Sequence, residues 1–330
     1  TSAYNGQVKF HDSFYYLKKQ AFATVLGIVL MLFVAGMDYH IWQRLAVFGY
    51  LAAVALSVAV MLFGREINGS KRWLALGPFS FQPSEFAKVV LILFLADLVT
   101  KNVKTIGKMW TLCRIMFWIL PIVGLVGASN LSTAIIILGI GVILIFVASP
   151  KYAQFALMGI AGACFMGIFL ALESYRLERL AIWRNPEKYE KGYQTLQGLY
   201  AIGSGGVFGV GIGNSVQKLG FVPEAQNDMI FSIICEELGF VGATILMLVF
   251  LVLIWRFMVI AVHAPDLFGS LIAAGAMGHI AIQVILNVAV VTNTIPNTGI
   301  TLPFISYGGT SVVFLLLEMG LVLSISRLVQ

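Results

Sequence analysis

The sequence predicts an all-α fold, a polytopic transmembrane helix bundle with nine visible spans, and three observations carry that expectation. Hydrophobic residues fill 59% of the 330 positions and charged residues only 11%, where a soluble domain carries about 25% charge. Apolar runs of the ~20 residues that a bilayer-crossing helix needs recur along the whole chain. Those runs are too long and too unalternating for barrel strands, and backbone in lipid must be satisfied inside a helix or a closed barrel. A soluble globular domain, a disordered chain, a collagen and a coiled coil are all excluded.

Taken in order, the spans fall at 20–36, 45–63, 84–100, 112–127, 131–149, 153–172, 230–255, 267–291 and 309–326. Three connections stand out. The first, 64–83, carries Arg65, Glu66, Lys71 and Arg72. The second, 173–228, gathers 12 of the 36 charged residues, six basic and six acidic. The third, 292–308, is rich in Thr, Asn, Pro and Gly and uncharged. With no repeat, low-complexity tract or second domain visible, 1–330 reads as a single integral-membrane domain. Net charge is +6, which in a membrane protein points to anionic headgroups or a phosphorylated substrate and not to nucleic acid. Cys113, Cys164 and Cys235 show no metal-ligand or redox spacing and read as small core residues. Counting every Lys and Arg, the positive-inside rule disfavours a cytoplasmic Gln330; if the charges of the long loop bind an anionic substrate they do not count, and the rule alone leaves the orientation open.

Ionisable groups at membrane depth are costly and are functional candidates for that reason. Glu85 and Lys88, i and i+3 at the start of the third span, share one helical face. They are either a local ion pair with Lys88 snorkelling to the interface or the place where Lys88 meets a phosphate. His279, Gln283 and Asn287 form one polar stripe on an apolar helix, as expected of interhelical hydrogen bonding. Glu318, alone in the last span, should face a protein interior or a cavity. The glycine-dense run 202–213 fits no dinucleotide or P-loop register; it is either a tightly packed loop or a backbone anion nest. Asp228 stands where the charged loop enters a membrane helix, as an N-cap or as a general base at a water–lipid boundary. Glu236 and Glu237 lie ~12 Å further along a straight helix and look structural.

Several motifs then coincide. Gly69-Ser70-Lys71-Arg72-Trp73-Leu74, Phe81-Gln82-Pro83-Ser84-Glu85-Phe86-Ala87-Lys88, Gly192-Tyr193-Gln194, the run Ala201 to Gly213, Pro223 to Gly239 and Ser306-Tyr307-Gly308-Gly309 resemble, in the same order, the SEDS proteins of shape, elongation, division and sporulation. The resemblance covers nearly the whole chain. It implies ten spans, of which the first would precede Thr1, and an extracytoplasmic loop, 173–229, between the sixth and seventh visible spans. Gln330 would then be cytoplasmic, in a bacterial inner membrane. It further implies polymerisation of lipid II into peptidoglycan glycan strands, beside a class B monofunctional penicillin-binding protein that cross-links them.

The family's catalytic Asp, in a Pro-Glu-x-x-Thr-Asp-Phe segment, falls on Asp228, here within Asn227-Asp228-Met229. Lys88, Arg72, Glu85, Trp73, Gln194, Ser306 and Tyr307 are the implied substrate-binding residues. Asn130 stands where many members have Asp, which removes a carboxylate role there. The wording Pro223-Glu224-Ala225 is closer to the division or sporulation branch than to the elongation branch. An α-linked donor and a β-1,4 product require a single inversion, with Asp228 as base and with Lys88 and Arg72 facing the pyrophosphate. No cofactor is demanded, although a divalent cation, Mg or Mn, could share that charge; no all-protein cage for one is legible. The competing readings are a flippase or transporter for the same lipid and a non-catalytic scaffold of the cell-wall complex.

Overall fold

Apolar segments of this length fold as helices because only bonds within the segment can satisfy the backbone in lipid. The structure, a computed structural model, describes residues 2–67, 70–76, 79–149, 151, 153–156, 158–159 and 180–329. Seven helices among them are long and apolar enough to cross a membrane, so the chain is an all-α, multi-pass membrane protein with little sheet. The helices are α1 (Ala3–Phe10), α2 (Tyr15–Gly36), α3 (His40–Phe63), α4 (Pro83–Asn102), α5 (Met109–Ser129), α6 (Leu131–Ala148), α7 (Tyr193–Gly205), α8 (Ile230–His263), α9 (Leu267–Val291) and α10 (Gly309–Ser326). The span expected at 153–172 and the beginning of the loop expected at 173–229 lie largely outside the described residues. So does Cys164, while Cys235 is buried and Cys113, expected in a core, is exposed.

The chain divides into two compact units. One comprises Phe22–Tyr152, Leu253–Ile282 and Gly309–Gln330, and α4 is its centre. From Pro83 to Asp97 every residue of α4 except Phe86 is buried. Four charged side chains sit on this helix, so it is an interior helix rather than a lipid-facing one. Tyr39 at the start of α3 donates its hydroxyl to Asp266 at 2.5 Å, and His40 reaches the same carboxylate at 2.8 Å.

The connection from α3 to α4, which carries no strand pattern long enough to read in the sequence, is a three-stranded antiparallel sheet. Its strands are β1 (Arg65–Ile67), β2 (Ser70–Leu76) and β3 (Phe79–Phe81), in that order. Trp73 of β2 pairs with Arg65, and Leu74 pairs with Phe81. Two of the three strands have three residues each, too short to show an alternation.

The other unit comprises Thr1–Ala21, Ala153–Val252 and Gln283–Gly308. Its frame is α7 lying against the beginning of α8. Glycine makes that contact possible, because a Cβ at Gly205 would overlap the Cys235 carbonyl. The chain then pairs with α8 through backbone bonds: Val210 N–H donates to Glu236 at 2.9 Å and Gly211 N–H to Glu237 at 3.0 Å. Phe240 and Val241 N–H return to the carbonyls of Gly206 and Val207. These bonds use two N–H groups and two carbonyls of the glycine run, which is packed tightly against α8. The helix breaks opposite this ladder, at Gly239 with φ 66° and ψ −167°. At 1.5 Å per residue the 34 residues of α8 would reach ~51 Å unbroken, well beyond a ~30 Å hydrocarbon core; the part after Gly239 reaches ~36 Å.

Candidate functional site

Asp228 lies two residues before α8 and is half-buried. Its carboxylate accepts from its own N–H and from that of Met229, short of the donors two and three residues on that a capping side chain takes. Gln194, in the first turn of α7, offers its amide to both carboxylate oxygens at 3.4 and 3.5 Å and to the Pro223 carbonyl at 3.3 Å. Burial pushes the Asp228 carboxyl up to about 6; the nearby Glu224 charge adds to this, and the two backbone N–H groups and Gln194 oppose it. Gly299 faces the same carboxylate: a Cβ there would lie 3.6 Å from Oδ2, on a backbone with φ +66°. That left-handed backbone favours glycine, and it brings the main chain close to the carboxylate.

The segment carrying Asp228 is held from the loop after α9. Asn287, fully buried, donates to the carbonyl of Asp228 at 2.9 Å and to that of Ile300 at 2.6 Å. Gln283, one turn earlier, donates to the Thr301 carbonyl at 3.0 Å. Ser306 donates its hydroxyl to the Asn227 carbonyl at 2.6 Å and accepts from Leu302 N–H at 2.7 Å. Tyr307 N–H donates to the Gln226 carbonyl at 2.8 Å, and its ring meets Tyr16 edge-on at 4.9 Å. Of the expected site residues, Gln194, Ser306, Tyr307 and Asp228 are thus brought together within one unit. Gln283 and Asn287, which the sequence offers only as interhelical glue, anchor the loops around Asp228. Their i, i+4 spacing was a visible signal, but their partners are backbone carbonyls, which no spacing reveals.

Glu236 and Glu237 are structural, as expected. Glu236 accepts from the Ser215 hydroxyl and from Val216 N–H, and Glu237 pairs with Lys218 at 2.6 Å. They fasten 213–218 to α8.

The other unit holds Arg72, Trp73, Glu85 and Lys88. Lys88 and Glu85 form the expected i, i+3 pair at 2.9 Å, but Lys88 is 1% exposed and does not snorkel. His279 and Ser311 lie beside Glu85. His279 also gives Glu318 the partner that the sequence leaves unnamed, at 2.8 Å with both side chains buried. Arg72 on β2 donates Nε–H to the Ser129 carbonyl at 3.0 Å and shares a small pocket with Ser84 and Asn130. Asn130 caps α6, its side chain accepting from Thr133 N–H at 3.3 Å. Among the described residues no three His, Cys, Asp or Glu side chains converge as metal ligands.

Known proteins resemble this chain along most of its length. Stage V sporulation protein E of Bacillus subtilis (strain 168) is 40% identical over 99% of this chain and 91% of its own length. The Probable peptidoglycan glycosyltransferase FtsW of Trichlorobacter lovleyi is 35% identical over 96% of this chain and 85% of its own. Among solved structures, a chain of a peptidoglycan synthase complex, described as coordinating polymerization and crosslinking, superposes with a TM-score of 0.84. It is 30% identical and covers 94% of this chain and 89% of that one. The crystal structure of the Thermus thermophilus rod shape determining protein RodA matches with a TM-score of 0.71 and 28% identity, over 99% of this chain and 92% of that one. The model of the cell cycle proteins FtsW, RodA and SpoVE matches residues 1–330, and the chain belongs to that family.

Proposed function

We propose that this protein is a peptidoglycan glycosyltransferase that polymerises lipid II into glycan strands by inverting transfer, with Asp228 as the general base. The observation that carries the assignment of the base is a half-buried carboxylate at the loop-to-helix junction, raised to about 6 by its burial and faced by the neutral amide of Gln194. Such a group is ionised at neutral pH yet more basic than an ordinary aspartate, the balance that general-base catalysis favours.

The acceptor 4-hydroxyl attacks the donor C1 as the C1–oxygen bond to pyrophosphate breaks. Asp228 takes the hydroxyl proton and later releases it to water. The pyrophosphate needs positive charge and no proton, and Arg72 and Lys88 are the proposed cations, with Glu85 and Trp73 proposed beside them as substrate-binding residues. No step is routed through a metal.

The same proposal includes nine spans in this chain, with α4 as the charged interior span and 153–172 as another. The loop 173–229 is extracytoplasmic, Gln330 is cytoplasmic, and the membrane is the bacterial inner membrane. The partner is a class B monofunctional penicillin-binding protein, a pairing supported by the match to a chain of a polymerizing and crosslinking complex.

The test is polymerisation of purified lipid II, with products separated by size. Polymer formed without energy input is expected, and Asp228→Asn should lower its rate by about 10²–10⁴ while the protein stays folded in detergent. Wild-type turnover by that variant removes Asp228 from the reaction. Labelled lipid that crosses liposomes without forming polymer supports a flippase instead.

A further inference from the structure

We propose that Asn297 is a positioning residue: the Asn297–Gln194 amide pair, anchored at both ends by backbone groups, presents to Asp228 an N–H of Gln194 and never its carbonyl. The inference rests on the reading of Asp228 as the base. Gly299 N–H donates to Asn297 Oδ1 at 3.3 Å. Asn297 Nδ2 donates to Gln194 Oε1 at 3.2 Å. Gln194 Nε2 donates to the Pro223 carbonyl at 3.3 Å and faces both oxygens of Asp228.

Side-chain amides have two ends of nearly the same shape, so their orientation follows from the network. Here the network leaves one solution. A backbone N–H can only donate and a backbone carbonyl can only accept. Turning both amides over would set Asn297 Nδ2 against Gly299 N–H and Gln194 Oε1 against the Pro223 carbonyl, two like contacts at once. Turning one alone sets the two amides against each other. Each bond is long and individually weak, and together they fix a direction.

That direction has a chemical consequence. A donor facing the carboxyl group favours its charged form, whereas a carbonyl facing it favours the acid, which has a proton to donate. Among the described residues, Glu224 is the charged group acting on Asp228, and with burial it favours the acid; Glu224 is itself held by the Asn227 amide. Gln194, together with the N–H groups of Asp228 and Met229, opposes both. Asn297 therefore acts through Gln194 to keep the base unprotonated under working conditions.

The experiment is the pH dependence of lipid II polymerisation by the full chain, reading the position of the acid limb and not the height of the plateau. Asn297→Leu removes the amide without adding charge and should move the limb upward by about half a pH unit, roughly a threefold change in proton affinity. Asn297→Ala carries the same expectation if the larger side chain does not fold. Gln194→Leu should shift the limb at least as far, and the double variant should shift it no further than Gln194→Leu alone, because both act along one path. A uniform loss of rate with an unmoved limb, or shifts that add, overturns the proposal. Asp228→Asn separates the two levels. If that variant is fully active, the reading of Asp228 as the base fails; if it is inactive while the Asn297 variants leave the limb in place, the positioning role alone fails.

Discussion

The surroundings of α4 and those of Asp228 handle buried charge in opposite ways. Around α4, Lys88 sits 2.9 Å from Glu85, and His279 sits 2.8 Å from Glu318. Around Asp228 the polar partners are amides, hydroxyls and backbone N–H groups, and the charged group acting on it is another acid, Glu224. Ions that neutralise each other are locked by their attraction and respond little to their surroundings. A carboxylate surrounded by neutral dipoles keeps its proton affinity adjustable, which a base requires. The difference separates charges held by a fixed partner, the Lys88 proposed for the pyrophosphate among them, from a carboxylate whose protonation is set by neutral groups and a second acid.

The comparison breaks most readily at the paired ions. Removing one partner of a buried pair leaves an uncompensated charge in a dry interior, at a cost of about 3–5 kcal/mol, whereas removing both is often close to neutral. Lys88→Met is therefore expected to lower thermal stability severely. Adding Glu85→Gln to it should restore most of the loss, as read by melting in detergent. If the double variant is as unstable as the single one, Lys88 stabilises the bundle through its packing and not through its pairing with Glu85.

Asp228 should behave in the opposite sense. Its carboxyl binds a proton more tightly when folded, at about 6, than in the unfolded chain, near 3.8. The folded state thus gains from this group at low pH and loses that gain as pH rises through about 6. At pH 8 the ionised carboxylate weakens the fold, and Asp228→Asn should stabilise it by about 1–3 kcal/mol. The advantage should shrink as pH falls from 6 toward 4. A variant that melts lower than wild type at pH 8 would show that hydrogen bonding to the carboxylate, and not its desolvation, governs the site.

How far the sequence could lead follows the same division. Membrane helices are legible because lipid imposes length and apolarity on each segment alone, as in α5, α6 and α10. The Glu85–Lys88 pair is legible because its partners share a helix face three residues apart. The pairing of His279 with Glu318, 39 positions away, depends on how helices pack and leaves no local mark. Neither do the bonds from Asn287 to the Asp228 and Ile300 carbonyls, or the chain from Gly299 through Asn297 to Gln194. The strands between α3 and α4 were hidden by their shortness. Asp228 stands out in the sequence because a carboxylate closes a charged loop at the start of an apolar helix, a position that fits a cap or a base alike, and only the family resemblance favours the base. Its proton affinity required knowing what lies around it.

Asn130 gives the mildest test, because it stands at the border between the two kinds of site. It caps α6 from an extended backbone, φ −152° and ψ 91°, at a position where an acid would serve the same hydrogen bond. Asn and Asp are comparable caps, and a negative charge gains about 0.3–1 kcal/mol from the helix dipole. Against that, Asn130 is only 8% exposed, and a carboxylate there loses hydration. Arg72, which lines the same small pocket, offers partial compensation. These effects nearly cancel, so Asn130→Asp should change stability by less than about 1 kcal/mol, while Asn130→Ala should cost about 1 kcal/mol by leaving the Thr133 N–H without its acceptor. Melting curves for the two variants give both numbers. An Asp variant less stable than the Ala variant would mean that hydration lost at the pocket outweighs the cap, and that this unit tolerates a buried charge only when an opposite charge is held in contact with it, as Glu85 is for Lys88.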